Sequence, residues 1–393
     1  MTDRHAAGGN AGEVFRAFFV LGLTSFGGPV AHLGYFREAF VVRRRWISEA
    51  AYADLVALCQ FLPGPASSQV GFVLGLIRAG GLMGGLAAWV GFTLPSALVL
   101  AAFGLGTAHL GGPLAAGVIH GLKLVAVAVV AQAVFGMART LAPDRVRAAI
   151  AFFALALTLL WPVAASQVLA ILLGALAGLL ACRTDAGTEA SQIPVPVSRR
   201  AGGVALALAI GLLVLLPVVA TQAGGMALFA ATYRAGALVF GGGHVVLPLL
   251  EASMVAPGWV DKADFLAGYG LAQAVPGPLF TFAAYLGAVA QGPAGAALAT
   301  LGIFLPGLLL VYGALPFWGA LRAAPLAQAA MRGANAAVVG VLAAALYAPV
   351  WTSAVATPLD FTLAAGGFLL LTVWRAPPLA VVVLLAAAGG LLA

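Results

Sequence analysis

The chain has 393 residues, of which 63% are hydrophobic and 8% charged, with a mean hydropathy of +1.08. A soluble globular protein carries about 25% charged residues, so this composition excludes one and describes an integral membrane protein. The formal net charge is +7. The arginines sit in short gaps between apolar segments, which fits positive-inside topology rather than a nucleic-acid surface.

Taken in order, Met1 to Asn10 is polar and lacks the apolar core and cleavage site of a signal peptide. Glu13 to Phe40 is apolar and breaks at Gly27-Gly28-Pro29. It leaves through Arg37 and Arg43-Arg44-Arg45-Trp46, a topology signal that also suits lipid headgroups. Next comes Gln60-Phe61-Leu62-Pro63-Gly64-Pro65-Ala66-Ser67-Ser68-Gln69. Pro63 stops the helix arriving from Glu49, Gly64 permits the reversal, and Pro65 fixes φ for a new first turn. Each arm, about Ala50 to Leu62 and Ala66 to Arg78, runs only ~20 Å. The hydrocarbon core is about 30 Å thick. The pattern therefore predicts a re-entrant hairpin with its tip near the bilayer middle, shielded by protein or a wet cavity. Leu82 to Ala108 and Leu114 to Arg139 are long enough to span. Ala148 to Ala181 breaks at Trp161-Pro162 into two short helices that return to the same side.

The polar stretch Arg183 to Arg200 separates two halves, and Val204 to Val219 is a single apolar segment without a counterpart. The second half then repeats the order. Ala230 to Leu250 breaks at Gly241-Gly242-Gly243, and Asp264 to Val289 at Pro276-Gly277-Pro278. Ala294 to Phe317 and Pro325 to Ala348 span, and Phe361 to Leu392 is interrupted at Pro377-Pro378. Trp46 pairs with Trp259, Gln60 with Gln273, Pro63 with Pro276 and Pro65 with Pro278. One unpaired segment inverts the second half, and charge agrees: 14 of the 19 Lys and Arg residues precede Ala201. The expectation is an all-α, polytopic membrane protein built as an inverted repeat. Residues 1–183 form the first repeat, 184–221 a linker plus the unpaired segment, and 222–393 the second repeat.

These motifs resemble the chromate ion transporter family in its long, two-domain form. The resemblance rests on Phe26-Gly27-Gly28-Pro29 with His32, Arg44-Arg45-Trp46 with Glu49, and Gln60 to Pro65. In the second half it rests on Phe240-Gly241-Gly242-Gly243-His244 and Gln273 to Pro278. It covers nearly the whole chain after about residue 13. It implies efflux of chromate, a tetrahedral dianion, across the bacterial inner membrane, with chromate resistance as the outcome. Sulfate is the shape-matched competitor, and a homodimer is compatible with it. Hydropathy and spacing alone reach a transporter with a paired re-entrant site.

Paired, Gly/Pro-interrupted segments in two halves point to a transporter's binding site. A helix leaving Pro65 starts with free N–H groups and a partial charge of about +0.5, and one leaving Pro278 does likewise. Ser67, Ser68, Gln69 and Thr281 add donors on these first turns, though serines at such positions also simply cap helices. Two such termini supply about +1 together. A dianion calls for a further cation, and Lys123, about 15 Å into its helix, is the candidate. Asn335 holds the matching place in the second half. His32 and His244 follow the two glycine breaks and either bind an oxyanion, carry a proton or pack. Asp54, Glu251 and Asp264 stand near hairpin starts as proton-coupling alternatives. No metal-ligand spacing involves Cys59 or Cys182, and no Gly-Lys-Ser/Thr phosphate loop occurs, so no cofactor, metal or nucleotide drive is expected. A passive anion channel and a membrane-embedded enzyme are the competing readings; apolar segments hold no Ser/His/Asp set or paired catalytic carboxylates.

Overall fold

The structure, a computed structural model, describes residues 8–26, 28–106, 112–161, 164–182, 193, 196–220, 224–240 and 243–392. The described residues are almost entirely helical. The first half holds α1 (Ala11–Thr24), α2 (Gly28–Phe36), α3 (Glu49–Phe61) and α4 (Ala66–Ala79). It continues with α5 (Leu82–Gly106), α6 (Pro113–Leu141), α7 (Arg145–Leu160) and α8 (Ala164–Ala181). The unpaired segment is α9 (Arg199–Val219). The second half holds α10 (Gly225–Ala237), α11 (Val246–Leu250), α12 (Lys262–Ala272), α13 (Phe282–Ala314) and α14 (Trp318–Arg322). It ends with α15 (Pro325–Ala345), α16 (Thr352–Ala354), α17 (Pro358–Thr372) and α18 (Pro378–Leu392). Among the described residues, five helical stretches are long and apolar enough to cross a membrane. They are Leu82–Gly106, Pro113–Leu141, Arg199–Val219, Leu279–Leu321 and Pro325–Ala354.

The repeat is visible in local chemistry. Ser48 caps α3 by accepting from Ala51 N, and Asp261 caps α12 by accepting from Asp264 N. Asp144 and Thr357 cap α7 and α17 in the same way. The Arg147 backbone N–H and guanidinium hold the Asp144 carboxyl below its usual range. A widened helical stretch follows α2 at Arg37–Arg43, and another follows α11 at Glu251–Val255. Gly75 faces Gly84 across the α4–α5 turn, and Gly287 faces Gly295 across the matching bend in α13. That bend is a true break, with Gln291 and Gly292 outside helical φ/ψ.

The halves are also interlocked. α7 and α8 of the first half pack on α15 of the second, while α17 and α18 pack on α6 of the first. Small residues set the spacing, as at Gly178 and Gly333, or Gly117 and Gly389.

Contacts fix the relative direction of the repeats. At the end where α5 begins, Arg78 pairs with Glu13 at 3.1 Å and lies 5.3 Å from the Trp46 ring centroid. Both hairpins of the first half, α1–α2 and α3–α4, therefore enter and leave at that end. At the other end of α5, Gly104 abuts Tyr285 and Ala288 on the returning arm of the second-half hairpin. The second-half hairpins thus enter from the opposite end, and α9 supplies the odd crossing that inverts them. Gly202 at the start of α9 meets Gly313 and Pro316 near the end of α13, as that inversion requires.

Candidate functional site at the paired hairpin tips

Each tip is built by Pro-Gly-Pro. α3 ends at Phe61, and the Leu62 N–H closes it on the Leu58 carbonyl. Gly64 follows at φ 121°, and α4 starts after Pro65. In the second half Gly277 sits at φ 107°, and a short 3-10 turn, Leu279–Thr281, leads into α13. Both glycines occupy backbone that a side chain rarely adopts.

The tips are tied to each other's half. Gly64 donates its N–H to the Val239 carbonyl at 2.7 Å, and Gly277 donates to the Ser25 carbonyl at 2.9 Å. Val239 and Ser25 are matched positions, each just before a glycine break. So the tip of each hairpin docks on the backbone of the other repeat, at the residue two before its first break glycine. Gln69, fully buried, donates through Nε2 to Pro63 O at 2.9 Å and to Gly307 O at 3.0 Å. That ties the first tip to α13. The second tip lies against α5, where Ser96 Oγ stands 2.7 Å from the Cβ that Gly277 lacks.

The surrounding side chains are polar and buried. His32 is fully buried, with Nε2 3.2 Å from the Ser25 carbonyl and Nδ1 3.5 Å from Ser67 Oγ. A carbonyl only accepts, so Nε2 carries a hydrogen, and Nδ1 faces the Ser67 hydroxyl. The ring stands edge-on to Phe92, 5.1 Å away. Ser25 Oγ, Ser68 Oγ, Gln69 Oε1 and Thr93 Oγ1 are buried without a hydrogen-bond partner. Buried hydroxyls are normally paired. Ser68 and Gln69 lie at the start of α4, whose first N–H groups have no helical partner. The three hydroxyls and the N–H groups can donate to a small oxyanion at a positive helix end, with no carboxylate among the described residues of either tip, whereas Gln69 Oε1 only accepts.

The chromate transporter family matches residues 12–179 and again 226–391, one match per repeat. The chain belongs to the chromate transporter family. It is 31% identical to a chromate transport protein of Pseudomonas aeruginosa over 95% of this chain and 90% of that protein. It is 29% identical to a probable chromate transport protein of Synechococcus elongatus, over 85% and 83%. It is 27% identical to a chromate transport protein of Cupriavidus metallidurans, over 84% and 80%. No solved structure matches the chain. Membership places this multi-pass protein among membrane transporters and outside the enzymes.

In this transporter the predicted residues divide into groups. Pro63, Gly64, Pro65, Ser67, Ser68, Gln69 and His32 come together around the first tip. Pro276, Gly277, Pro278 and Thr281 form the second tip, with Thr281 Oγ1 donating to the Pro278 carbonyl at 2.7 Å. Gly28 opens α2 at φ 76°, whereas Gly27, Gly241 and Gly242 lie outside the described residues. Lys123 is half-buried on α6 beside α12, and its charge interacts with that of Asp264. His244 is bonded to the Tyr269 hydroxyl through Nδ1 at 2.7 Å. Asn335 and Gln273 are half-buried, and each holds one buried polar atom without a partner, Oδ1 and Nε2. Ser25, Thr93 and Ser96 have no site role in the sequence reading. Ser25 and Thr93 lie in the motifs Ser25-Phe26-Gly27-Gly28 and Phe92-Thr93-Leu94-Pro95, whose counterparts in the second half carry Val239 and Phe304 at those places, and Ser96 lies outside both.

The two hairpins are not in equivalent positions. α12 packs along α6, with Gly270 against the Leu122 carbonyl, whereas α3 makes no comparable packing on α15. Residue by residue, Leu266 and Gly270 are buried while their counterparts Ala53 and Ala57 are exposed. Gln60 is exposed and Gln273 half-buried. An apolar cavity of about 320 Å³ lies along α15 and reaches the first tip, lined by Ala334, Met331, Leu213, Leu310, Phe240 and Pro63. A cavity of about 590 Å³ on the other side, between α6, α12 and α18, reaches Asp264 and Ala274 but no tip proline.

Proposed function

We propose that the chain is a secondary transporter that exports chromate across the bacterial inner membrane and so confers chromate resistance. The observation that carries this reading is the docking of each Pro-Gly-Pro tip on the other repeat, beside buried, unpaired hydroxyls and free helix N–H groups. With the Arg43–Trp46 turn cytoplasmic, the first hairpin enters from inside and the second from outside. An inside-negative potential then drives a dianion outward, gaining about 2.3 kcal/mol per charge per 100 mV. Radiolabelled chromate flux in liposomes, under an imposed potential and then an imposed pH gradient, tests the reading. Saturable flux that follows the potential supports it. Equal flux of sulfate at equal concentration would favour a general small-anion transporter, and unsaturable flux a channel.

Lys123 provides a sharper test. Lys123→Met, which keeps length and removes charge, is expected to abolish saturable chromate export while the protein still reaches the membrane. Lys123→Arg keeps the charge and part of the activity, since it changes reach and donor geometry. Salt separates binding from steering, because screening weakens an exposed charge far more than an enclosed one. Wild-type export by the Met variant at high salt would make Lys123 a steering charge and move the missing cation to His32 or His244.

A further inference from the structure

We infer that the turn after the first hairpin carries a binding site for the phosphate of an anionic phospholipid, held between Arg16 and Arg44. Three of the nearby arginines are spoken for: Arg37 by Glu49, Arg43 by Glu38 and Arg78 by Glu13, at 2.7, 2.8 and 3.1 Å. Arg16 and Arg44 have no carboxylate partner among the described residues. They line one cavity of about 460 Å³ with Asn10, Glu13, Ala17 and Val20. Asn10 is occupied in capping Glu13 N, and Glu13 in pairing Arg78, so the free groups facing this space are two guanidinium ions.

Arg44 is backed by a buried aromatic pair. Trp46 is 3% exposed and stacks on Phe40 at 4.5 Å. The Arg44 and Arg78 guanidinium carbons lie 5.7 and 5.3 Å from the Trp46 ring centroid, so the indole positions Arg44. Below Arg16 on the same helix, Val20 and Leu23 are 58% and 50% exposed, a surface for the acyl chain that hangs from a headgroup.

The second repeat serves as an internal control. Its matching turn reads Ala256-Pro257-Gly258-Trp259, and Ala230 stands where α1 has Arg16. The fold therefore does not need these arginines. Arg45 makes the point more strongly, because it is held at φ 50° where Gly258 takes φ 80° without cost. Left-handed backbone disfavours any residue with a side chain. Basic pockets at this depth bind phosphate headgroups bidentately.

The test uses the purified full chain, titrated in turn with phosphatidylglycerol, phosphatidylcholine and inorganic phosphate, with bound lipid counted by native mass spectrometry. Wild type is expected to retain phosphatidylglycerol and not phosphatidylcholine. The double variant Arg16→Gln/Arg44→Gln should bind it about thirtyfold more weakly, the effect of two interfacial charges. Arg145→Gln, at the same end but outside the pocket, should bind normally. Arg16→Lys/Arg44→Lys keeps the topology signal and should still bind several-fold more weakly, since lysine lacks the fork. Equal binding of both lipids, or equal loss in Arg145→Gln, overturns the site. Displacement of the lipid by millimolar inorganic phosphate also overturns it, assigning the pocket to a soluble anion. These readouts measure lipid and not transport, so the site stands or falls separately from chromate export.

Discussion

Gly64→Ala and Gly277→Ala are each expected to lower chromate transport at least tenfold without blocking membrane insertion. The reasoning is local. At φ 121° and 107° a side chain costs about 1–2 kcal/mol before any contact is counted. The new Cβ would also stand 2.9 Å from Gly307 Cα in the first case and 2.7 Å from Ser96 Oγ in the second. Relief requires the tip to move, and moving it breaks the Gly64–Val239 or Gly277–Ser25 hydrogen bond, worth about 0.5–1.5 kcal/mol. Losses of this size shift a conformational equilibrium by roughly one to two powers of ten. Gly203→Ala is the control, because a Cβ there meets nothing. Initial flux per folded protein, with folded protein measured by size-exclusion chromatography, is the readout. Wild-type flux in both variants would mean that the tips are not the site. Loss of flux only in proportion to loss of folded protein would make them structural.

Much of this architecture was legible because proline and glycine act locally. Pro63 and Pro276 forbid a continuous helix for steric reasons that need no tertiary information, so both hairpins follow from sequence, although α12 already ends at Ala272. The inversion was legible too, because arginine marks one side of a membrane and α9 is an odd segment. What was not legible depends on distant pairing. Nothing in the local pattern says that α7 and α8 cover α15 while α17 and α18 cover α6. Nor does it say that Gln69 turns inward to bridge Pro63 and Gly307, or that Ser25 supplies the carbonyl on which Gly277 docks. Lys123 illustrates the limit. Its depth follows from counting 1.5 Å per residue, but its position beside α12 and its electrostatic neighbour Asp264 depend on how α6 is rotated. The widened turns at Arg37–Arg43 and Glu251–Val255 also escape sequence reading, since their composition resembles that of ordinary helix.

A disulfide between Ala57→Cys and Ala334→Cys is expected to form during turnover and to stop transport, with activity restored by reductant. The prediction comes from the mismatch between the repeats. In the second half Gly270 touches the Leu122 carbonyl. Ala57 and Ala334 hold the corresponding positions of the first half, yet Ala57 is exposed and Ala334 lines the cavity along α15. If the repeats exchange conformations, α3 swings onto α15 and fills that cavity while α12 leaves α6. The swing brings Ala57 and Ala334 to the separation of about 4.4–6.8 Å between Cα atoms that a disulfide requires. Cys59 and Cys182 are both free and must be replaced by alanine first. Two further substitutions should push the equilibrium in opposite directions. Gly270→Ala places a methyl against the Leu122 carbonyl, disfavours the present arrangement and should speed cross-linking. Ala57→Leu obstructs the approach of α3, and should keep Gln60→Cys open to a membrane-impermeant thiol reagent from the cytoplasmic side. An oxidised pair that still transports at full rate, or a pair that never cross-links while chromate is being exported, would show that the arms do not exchange. The difference between α3 and α12 would then be a fixed feature of the fold.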